Sequence, residues 1–383
     1  MKIAIPKEIR DGEMRVATSP DMVKKLTQTG SEIVIETGAG SHCKISDSSF
    51  VEVGASIGND ARETYAGADV VLKVRGPMVE KEGTDELSLL DPKSILIGLL
   101  APLHNRERII TYAEYGMTSF SMELLPRISR AQSMDVLSSQ SNLAGYKAVV
   151  DAANTFGKAF PMMMTAAGTI APAKVLVLGA GVAGLQAIAT ARRLGAVVSA
   201  FDVRPAVREQ VQSLGAKFIE VDNSDNQDAE TSGGYAKEMS EDYKKRQSEL
   251  IHDTVRTQDV VIATALIPGK PAPQLIPEVM VQDMKPGSII VDLAAEAGGN
   301  CPLSEVDQVV VKHGVTLVGH SNMPARIPVD SSALLSRNLV NFLTPMIDSD
   351  SGALSIDWED EVISGTLTTR DGKVVHPMLK NET

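Results

Sequence analysis

The fold is decided by residues Lys174–Asp202, which read KVLVLGAGVAGLQAIATARRLGAVVSAFD. The apolar run Val175–Gly179 predicts a buried strand that ends in glycine, and Gly184–Leu194 has the composition of a helix. A second apolar run, Val197–Asp202, predicts the next strand. The order strand, glycine turn, helix, strand is that of a βαβ unit in a parallel sheet.

Three glycines of this stretch have the GxGxxG spacing. Gly179 permits a tight turn, Gly181 lets the backbone approach a pyrophosphate, and Gly184 lets the helix pack close to the strand. Backbone N–H groups at the start of a helix favour a bound anion. The motif in this context predicts a dinucleotide site. On these residues alone, a glycine turn that binds no nucleotide stays open as an alternative.

The second strand ends at Asp202, eighteen residues after Gly184. A carboxylate at this place accepts hydrogen bonds from the adenosine ribose hydroxyls and repels a 2′-phosphate, which favours NAD over NADP. Arg204 is an argument against this inference, because a guanidinium nearby can bind the 2′-phosphate of NADP.

Composition restricts the classes of function. A chain of 383 residues with 43% hydrophobic residues is long enough for two domains. Its net charge of −12 argues against a nucleic-acid partner. The two cysteines, Cys43 and Cys301, are far apart, and the six histidines show no ligand pattern, so no metal site is expected. No stretch reaches the ~18 apolar residues needed to span a bilayer.

A similar alternation of strands and helices precedes this stretch. Strands are predicted at Lys2–Ile5, Ile33–Glu36, Val70–Val74 and Ser94–Ile97. The tail Ala353–Pro377 is predicted to form short strands around a turn at Asp371-Gly372 and to return to the first domain.

The predicted fold class is α/β, with two Rossmann-like, doubly wound domains that have mainly parallel sheets and are joined by long helices. Residues 1–135 together with 331–383 would form the N-terminal Rossmann-like domain. Residues 136–330 would form the inserted NAD-binding domain.

Asp222–Gly234 is a polar, acidic segment that is long for a loop. Such loops are functional lids or disordered segments. Tyr235 and Met239 follow directly and could close the segment over a ligand, so a lid is one prediction and disorder the other.

Several motifs carry a resemblance to a known family. The chain resembles alanine dehydrogenases and nicotinamide nucleotide transhydrogenases over essentially its whole length. The more specific motifs look like the transhydrogenase branch, and in particular like its separate NAD(H)-binding component. The motifs are Ile5–Glu8 (IPKE), Arg15–Ala17 (RVA), Pro126–Asp135 (PRISRAQSMD), Ser138–Tyr146 (SSQSNLAGY), Phe160–Gly168 (FPMMMTAAG) and Asp292–Asn300 (DLAAEAGGN).

The resemblance implies an oxidoreductase and its partners. NADH bound here would pass hydride directly to NADP⁺ held on an NADP(H)-binding component, Re/Si-specifically. A membrane component would couple the exchange to proton translocation. The chain would be a homodimer, catalytic only with its partners. It would be cytoplasmic and peripheral at the inner face of the cytoplasmic membrane.

The resemblance also assigns residues to the cofactor. Around the nicotinamide end it implies Arg127, Gln132, Asp135 and Ser138. Hydride transfer between two nicotinamides needs orientation and exclusion of water rather than an acid or base. Asp135 would hold Arg127 in place, although a simple structural ion pair is an alternative. The remaining implied cofactor contacts are Ile128, Ser129, Gly179, Ala180, Gly181, Val182, Gly184, Asp202, Val203, Arg204, Gly234, Tyr235, Gln247 and Leu266.

Two other functions stay open. An amino-acid dehydrogenase of the alanine dehydrogenase type needs a proton acceptor at its substrate. Arg15 and Lys73 stand where that family binds substrate, but Leu100 stands in place of its histidine. Where an aspartate is expected, the chain has Ala295 or Glu296. The third possibility is a non-catalytic NAD-binding module.

The apolar, methionine-rich stretch Met162–Ala167 has two interpretations. It is a plausible contact for a homodimer. Burial in the core of its own chain is the equal alternative.

Overall fold

The computed structural model describes residues 1–221 and 240–380. The predicted lid 222–234, with Gly234, and the residues Tyr235 and Met239 therefore lie outside the described residues. The chain divides into two compact units, Met1–Gln140 with Ala325–Thr383 (unit 1) and Ser141–Pro324 (unit 2). The domain limits predicted at 135/136 and 330/331 stay a prediction.

The first stretch of the chain alternates strands with helices. The strands are β1 (Lys2–Ile5), β2 (Glu32–Glu36), β3 (Ser56–Gly58), β4 (Val70–Arg75), β5 (Ile95–Leu99) and β6 (Thr118–Ser121). The helices are α1 (Pro20–Thr27), α2 (Asp47–Val51), α3 (Ala61–Tyr65) and α4 (Arg106–Tyr115).

The long helix α5 (Val136–Thr155) starts in unit 1 and ends in unit 2. The strands that follow are β7 (Met163–Thr165), β8 (Gly168–Ile170), β9 (Lys174–Leu178), β10 (Val197–Phe201), β11 (Lys217–Ile219), β12 (Val260–Ala263), β13 (Ile289–Asp292), β14 (Val309–Lys312) and β15 (Val315–Val318). The helices among them are α6 (Val182–Arg193), α7 (Arg208–Ser213), α8 (Glu241–Val255) and α9 (Glu278–Gln282).

The last stretch of the chain contains α10 (Pro328–Leu343), α11 (Glu361–Thr366), β16 (Leu367–Arg370) and β17 (Lys373–Val374). The turn predicted at Asp371-Gly372 is confirmed, because both residues have positive φ and β17 pairs antiparallel with β16. The tail also contains a helix, α11, which the predicted short strands did not include. Asp360 accepts hydrogen bonds from the backbone of Val362 and Ile363 and so starts α11.

Unit 1 contains an eight-stranded sheet in the order β17-β16-β6-β5-β4-β1-β2-β3. The strands from β6 to β3 pair in parallel, and β16 joins β6 in antiparallel orientation. The order reverses direction between β1 and β4, which is the switch point of a doubly wound sheet. Buried residues of α10, including Leu335 and Leu339, belong to the core on one face of this sheet.

Unit 2 repeats this topology in the order β11-β10-β9-β12-β13-β15-β14. All neighbours are parallel except β14, which pairs antiparallel with β15 at the edge. The switch point lies between β9 and β12, where ligands bind at the carboxyl ends of the strands. The predicted fold class is confirmed by these two mainly parallel sheets. No helix among the described residues is long and apolar enough to cross a membrane.

Candidate functional site

The glycine turn after β9 has the geometry that its spacing predicts. Gly179 has φ 93°, a conformation that favours glycine, and Gly181 is the residue before the first turn of α6. A Cβ atom placed on Gly184 would lie 1.8 Å from the carbonyl oxygen of Gly179. Only glycine at position 184 therefore lets α6 start this close to the end of β9.

The space in front of Gly181 is open. A Cβ atom on this residue would have its nearest neighbour, the Nη2 atom of Arg204, at 3.9 Å. The first N–H groups of the twelve-residue helix α6 have no partner within the helix and attract an anion. The residues at this turn thus fit a pyrophosphate group.

Asp202 follows the end of β10, and its side chain lies beside the glycine turn. Its Oδ2 atom accepts a hydrogen bond of 2.7 Å from the backbone N–H of Ala180. The Arg204 side chain donates to the same carboxylate through Nη2 (2.7 Å) and Nε (2.9 Å). This ion pair holds a buried carboxylate directly beside the glycine turn.

The loop after β12 is held by two residues that the sequence analysis missed. The Thr264 hydroxyl donates to the Gly179 carbonyl at 3.0 Å. The buried Asn300 amide accepts from Ala265 N at 3.1 Å and donates to the carbonyl oxygens of Ala265 and Pro273. The sequence signal for Asn300 is its place at the end of the motif Asp292–Asn300.

The other predicted contacts in unit 2 differ in exposure. Val182 and Leu266 are exposed, and Val203 is half-buried. Gln247 is buried on α8. Unit 2 thus brings the glycine turn, Asp202 and Arg204 together in direct contact. Among the residues that the structure describes, no hydrogen bond joins Gln247 to them.

The residues predicted for the nicotinamide end all lie in unit 1. Arg127, Ser129 and Gln132 are exposed, and Ile128 packs against the core. Ser129 and Gln132 belong to a 3₁₀ turn, Ser129–Met134, directly before α5.

Asp135 lies at the junction between this turn and α5. Its carboxylate accepts hydrogen bonds from the backbone N–H of Ser138, at 2.9 Å, and from the Ser138 hydroxyl. This is the geometry of a helix N-cap, so Asp135 and Ser138 fix where α5 begins. The proposed support of Arg127 by Asp135 stays a prediction.

Lys73 and Leu100, at the positions where alanine dehydrogenases use a lysine and a histidine, are buried. Lys73 is 1% exposed and forms ion pairs with Glu86 and, at 3.6 Å, with Glu8. The Tyr65 hydroxyl donates to Glu86 at 2.7 Å. The Lys73 ammonium is therefore paired with carboxylates of this chain, and the Leu100 side chain cannot accept a proton.

Burial also affects the acid–base behaviour of this cluster. Two carboxylates, Glu8 and Glu86, share the single ammonium of Lys73. Burial raises the pKa of Glu8 from 4.5 to about 7, and Lys73 opposes the rise.

Nothing in the described residues brings three or more His, Cys, Asp or Glu side chains together as a metal site.

Family models cover almost the entire chain. Residues 4–144 match the N-terminal domain of the family described as alanine dehydrogenase/PNT, and residues 148–377 match its C-terminal domain. The first portion of NAD(P) transhydrogenase subunit alpha from Rhodospirillum rubrum is 57% identical over 382 residues, which is 100% of both chains. The chain belongs to the alanine dehydrogenase/PNT family, among its NAD(P) transhydrogenase alpha subunits.

A solved structure supports the same relationship. The crystal structure of transhydrogenase from Sinorhizobium meliloti has a TM-score of 0.87 and 48% sequence identity, over 98% of this chain and 100% of that one. Alanine dehydrogenase of Mycolicibacterium smegmatis is more distant, with 28% identity over 98% of this chain and 95% of its own. The resemblance seen in the motifs is therefore confirmed, and it favours the transhydrogenase side of the family.

Proposed function

We propose that this chain binds NAD(H) and that hydride passes directly from it to NADP⁺ held on a partner component. The observation that carries the proposal is the contact of the Asp202 carboxylate with the glycine turn at Ala180. A carboxylate there suits the free ribose hydroxyls of NADH and repels the 2′-phosphate of NADPH. The two nucleotides are thus assigned to different components.

The side chains of this chain would bind and orient the cofactor. The start of α6 and Gly181 would hold the pyrophosphate, and Asp202 the adenosine ribose. Arg127 and Gln132 would hold the ribose and carboxamide at the nicotinamide end, and Asp135 with Ser138 would fix that segment. NADH, when bound, supplies one hydride, which reduces NADP⁺ to NADPH and leaves NAD⁺.

Direct transfer agrees with the residues at the two positions, 73 and 100, where alanine dehydrogenases use a lysine and a histidine. Hydride transfer between nicotinamides needs no proton acceptor, whereas oxidation of an amino acid does. Leu100 is fully buried and apolar, and Lys73 is occupied by Glu86. Both observations support the proposal over an alanine dehydrogenase activity.

Two further components belong to the proposal. The relatives from Rhodospirillum rubrum and Rickettsia prowazekii are named as the first portion of subunit alpha, and such names imply other subunits. We assign NADP(H) to one of these and proton translocation to a membrane component, with Re/Si-specific transfer only in the assembled enzyme. The chain would then lie on the cytoplasmic side of the membrane, attached through its partners.

A homodimer is proposed from an exposed hairpin. Strands β7 and β8 pair only with each other and join neither large sheet among the described residues. Met162, Met163 and Met164 are exposed there, so burial of this stretch in its own core, one of the two interpretations, is wrong. An exposed apolar hairpin can pack against the same hairpin, or against the residues around it, on a second copy of the chain.

Stopped-flow mixing tests the proposed function. The chain is mixed with its cognate NADP(H)-binding component, NADH and NADP⁺, and NADPH formation is followed. We expect transfer in a single turnover with both components present and none with either alone. Transfer by this chain alone, or no transfer in the mixture despite NADH binding, would contradict the proposal.

A further inference from the structure

Asn338 on α10 contacts Ser133 and Ser139, which flank Asp135 and Ser138 of the proposed nicotinamide residues. Its Nδ2 atom donates to the Ser133 carbonyl at 3.0 Å, and its Oδ1 atom accepts from the Ser139 hydroxyl at 2.7 Å. The residue is 7% exposed, so water competes little for these bonds. One buried amide thus bridges the 3₁₀ turn and the first turn of α5.

The bridged residues are the immediate neighbours of the proposed site. Ser133 follows Gln132, and Ser139 follows Ser138. Asp135 lies between the two anchors and caps α5 through Ser138. The Asn338 amide holds Ser133 and Ser139 at a fixed distance, and this distance affects the position of Gln132 relative to Ser138.

Helix α10, which carries Asn338, is packed into the core of unit 1. Leu335 and Leu339 of α10 are fully buried in the core of unit 1. Asn341, one turn further on, adds a second amide bond of 3.1 Å to the same Ser133 carbonyl. The core on which α10 packs is thereby connected to the turn before α5.

We infer that Asn338 is a positioning residue for hydride transfer. Its amide bonds to Ser133 and Ser139, so it would act through these two neighbours of the proposed cofactor residues. The inference rests on the proposed function, in which Gln132 orients the nicotinamide for hydride transfer. Small displacements of reacting groups cost rate much more than binding, about 100-fold for 1 Å in sensitive cases.

Two substitutions separate the two arms of the bridge. Asn338→Leu is close in size and removes both hydrogen bonds. Asn338→Asp keeps an acceptor for Ser139 but cannot donate to the Ser133 carbonyl. Ser336→Ala is the matched control, because Ser336 is a buried polar residue of the same helix whose hydroxyl bonds to Ser19 instead.

The measurements are single-turnover NADPH formation with the cognate NADP(H)-binding component, NADH affinity by fluorescence titration, and thermal unfolding. We expect both Asn338 variants to transfer hydride about tenfold more slowly or worse at saturating NADH, with affinity within about twofold of the original. Ser336→Ala should transfer at the original rate. If Asn338→Leu does not fold, Asn338→Asp alone carries the test.

The outcomes distinguish this inference from the proposed function. A folded Asn338 variant that transfers at the original rate would overturn the inference. So would a rate loss no greater than the loss of bound NADH, since that is the result of a merely structural role. Failure of the unsubstituted chain to transfer hydride would instead contradict the proposed function.

Discussion

The Arg204 guanidinium is paired with the Asp202 carboxylate, with Nη2 2.7 Å from Oδ2 and Nε 2.9 Å from Oδ1. The backbone N–H groups of Ala180 and Arg204 donate to the same two oxygens. A carboxylate has about four acceptor positions, and these bonds occupy them. Ribose hydroxyls must therefore replace the guanidinium, so Arg204 should move off the carboxylate when a nucleotide binds.

This pairing predicts the outcome of Asp202→Ala. NADH affinity should fall about 10- to 100-fold, because hydrogen bonds to a charged acceptor are lost. NADPH affinity should rise, because Arg204 is released from Asp202 and can bind the 2′-phosphate. Fluorescence titration with both nucleotides measures the two effects. In the control, Asp202→Ala combined with Arg204→Met, the gain for NADPH should disappear. A single variant that keeps the original preference for NADH would refute this account of selectivity.

The glycines of the turn should respond differently to alanine. Gly184→Ala places a Cβ atom 1.8 Å from the Gly179 oxygen, so we expect about 3 kcal/mol of lost stability. Gly181→Ala has 3.9 Å of clearance and an ordinary φ, so it should fold normally yet bind NADH weakly by obstructing the pyrophosphate. Denaturant unfolding and NADH titration measure both properties. Normal NADH binding by Gly181→Ala would show that no pyrophosphate approaches there.

The chain should not oxidise alanine with NAD⁺. Lys73 is held by Glu86, and Leu100 cannot accept a proton. NADH formation in the presence of alanine should stay at background, with an alanine dehydrogenase as the positive control. Sustained NADH formation above background would support the amino-acid dehydrogenase alternative instead.

The buried cluster of Glu8, Lys73 and Glu86 predicts a pH dependence of stability. Burial raises the pKa of Glu8 to about 7, so the folded protein holds this proton more tightly than the unfolded chain, whose value is near 4.5. The stabilisation is complete below about pH 4.5 and is lost as the pH rises to about 7. The free energy of unfolding should drop over this window by roughly 1 to 3 kcal/mol on account of this group.

Glu8→Gln tests this expectation, since an amide does not titrate. Urea unfolding at a series of pH values should show a smaller decline between about pH 4.5 and pH 7 than in the original protein. Glu32→Gln, an exposed carboxylate on β2, should leave the profile unchanged. Identical profiles for Glu8→Gln and the original would mean that Glu8 ionises at its ordinary pKa.

The exposed hairpin predicts the effect of a charge on assembly. Met164 is 76% exposed, and Met164→Asp should weaken the homodimer about tenfold or more by burying a carboxylate in the interface. Light scattering over a concentration series measures the dissociation. Met378, 65% exposed in unit 1, is the matched control as Met378→Asp. A monomeric original protein, or equal effects of the two substitutions, would count against the hairpin as the interface.

Much of the fold and site could be predicted because the information is local in the chain. The apolar run before Gly179, the spacing to Gly184 and the strand followed by Asp202 lie within 29 consecutive residues. Strand and helix periods and glycine geometry act over such distances. The two parallel sheets follow from repetition of this βαβ pattern.

Elements that depend on weak local signals were less predictable. Helix α11 is six residues long and is stabilised by the Asp360 cap and by packing of Val362 and Ile363. Of the short strands predicted for this tail, the described residues form two, β16 and β17. For such short elements, tertiary contacts outweigh intrinsic propensity.

The glycine turn, the acidic residue after β10 and the family could be recognised from the sequence alone, because residue type and spacing carry all three. The side chains that support the site are set by tertiary packing. Asn338 reaches Ser133 across 205 residues of chain, and Asn300 reaches Ala265 across 35. Tertiary packing also decided that the Met162–Thr165 stretch is exposed and that Lys73 is buried among carboxylates. Burial and hydrogen-bond partners arise from packing between distant segments, and no periodicity or spacing in a single sequence reports that packing.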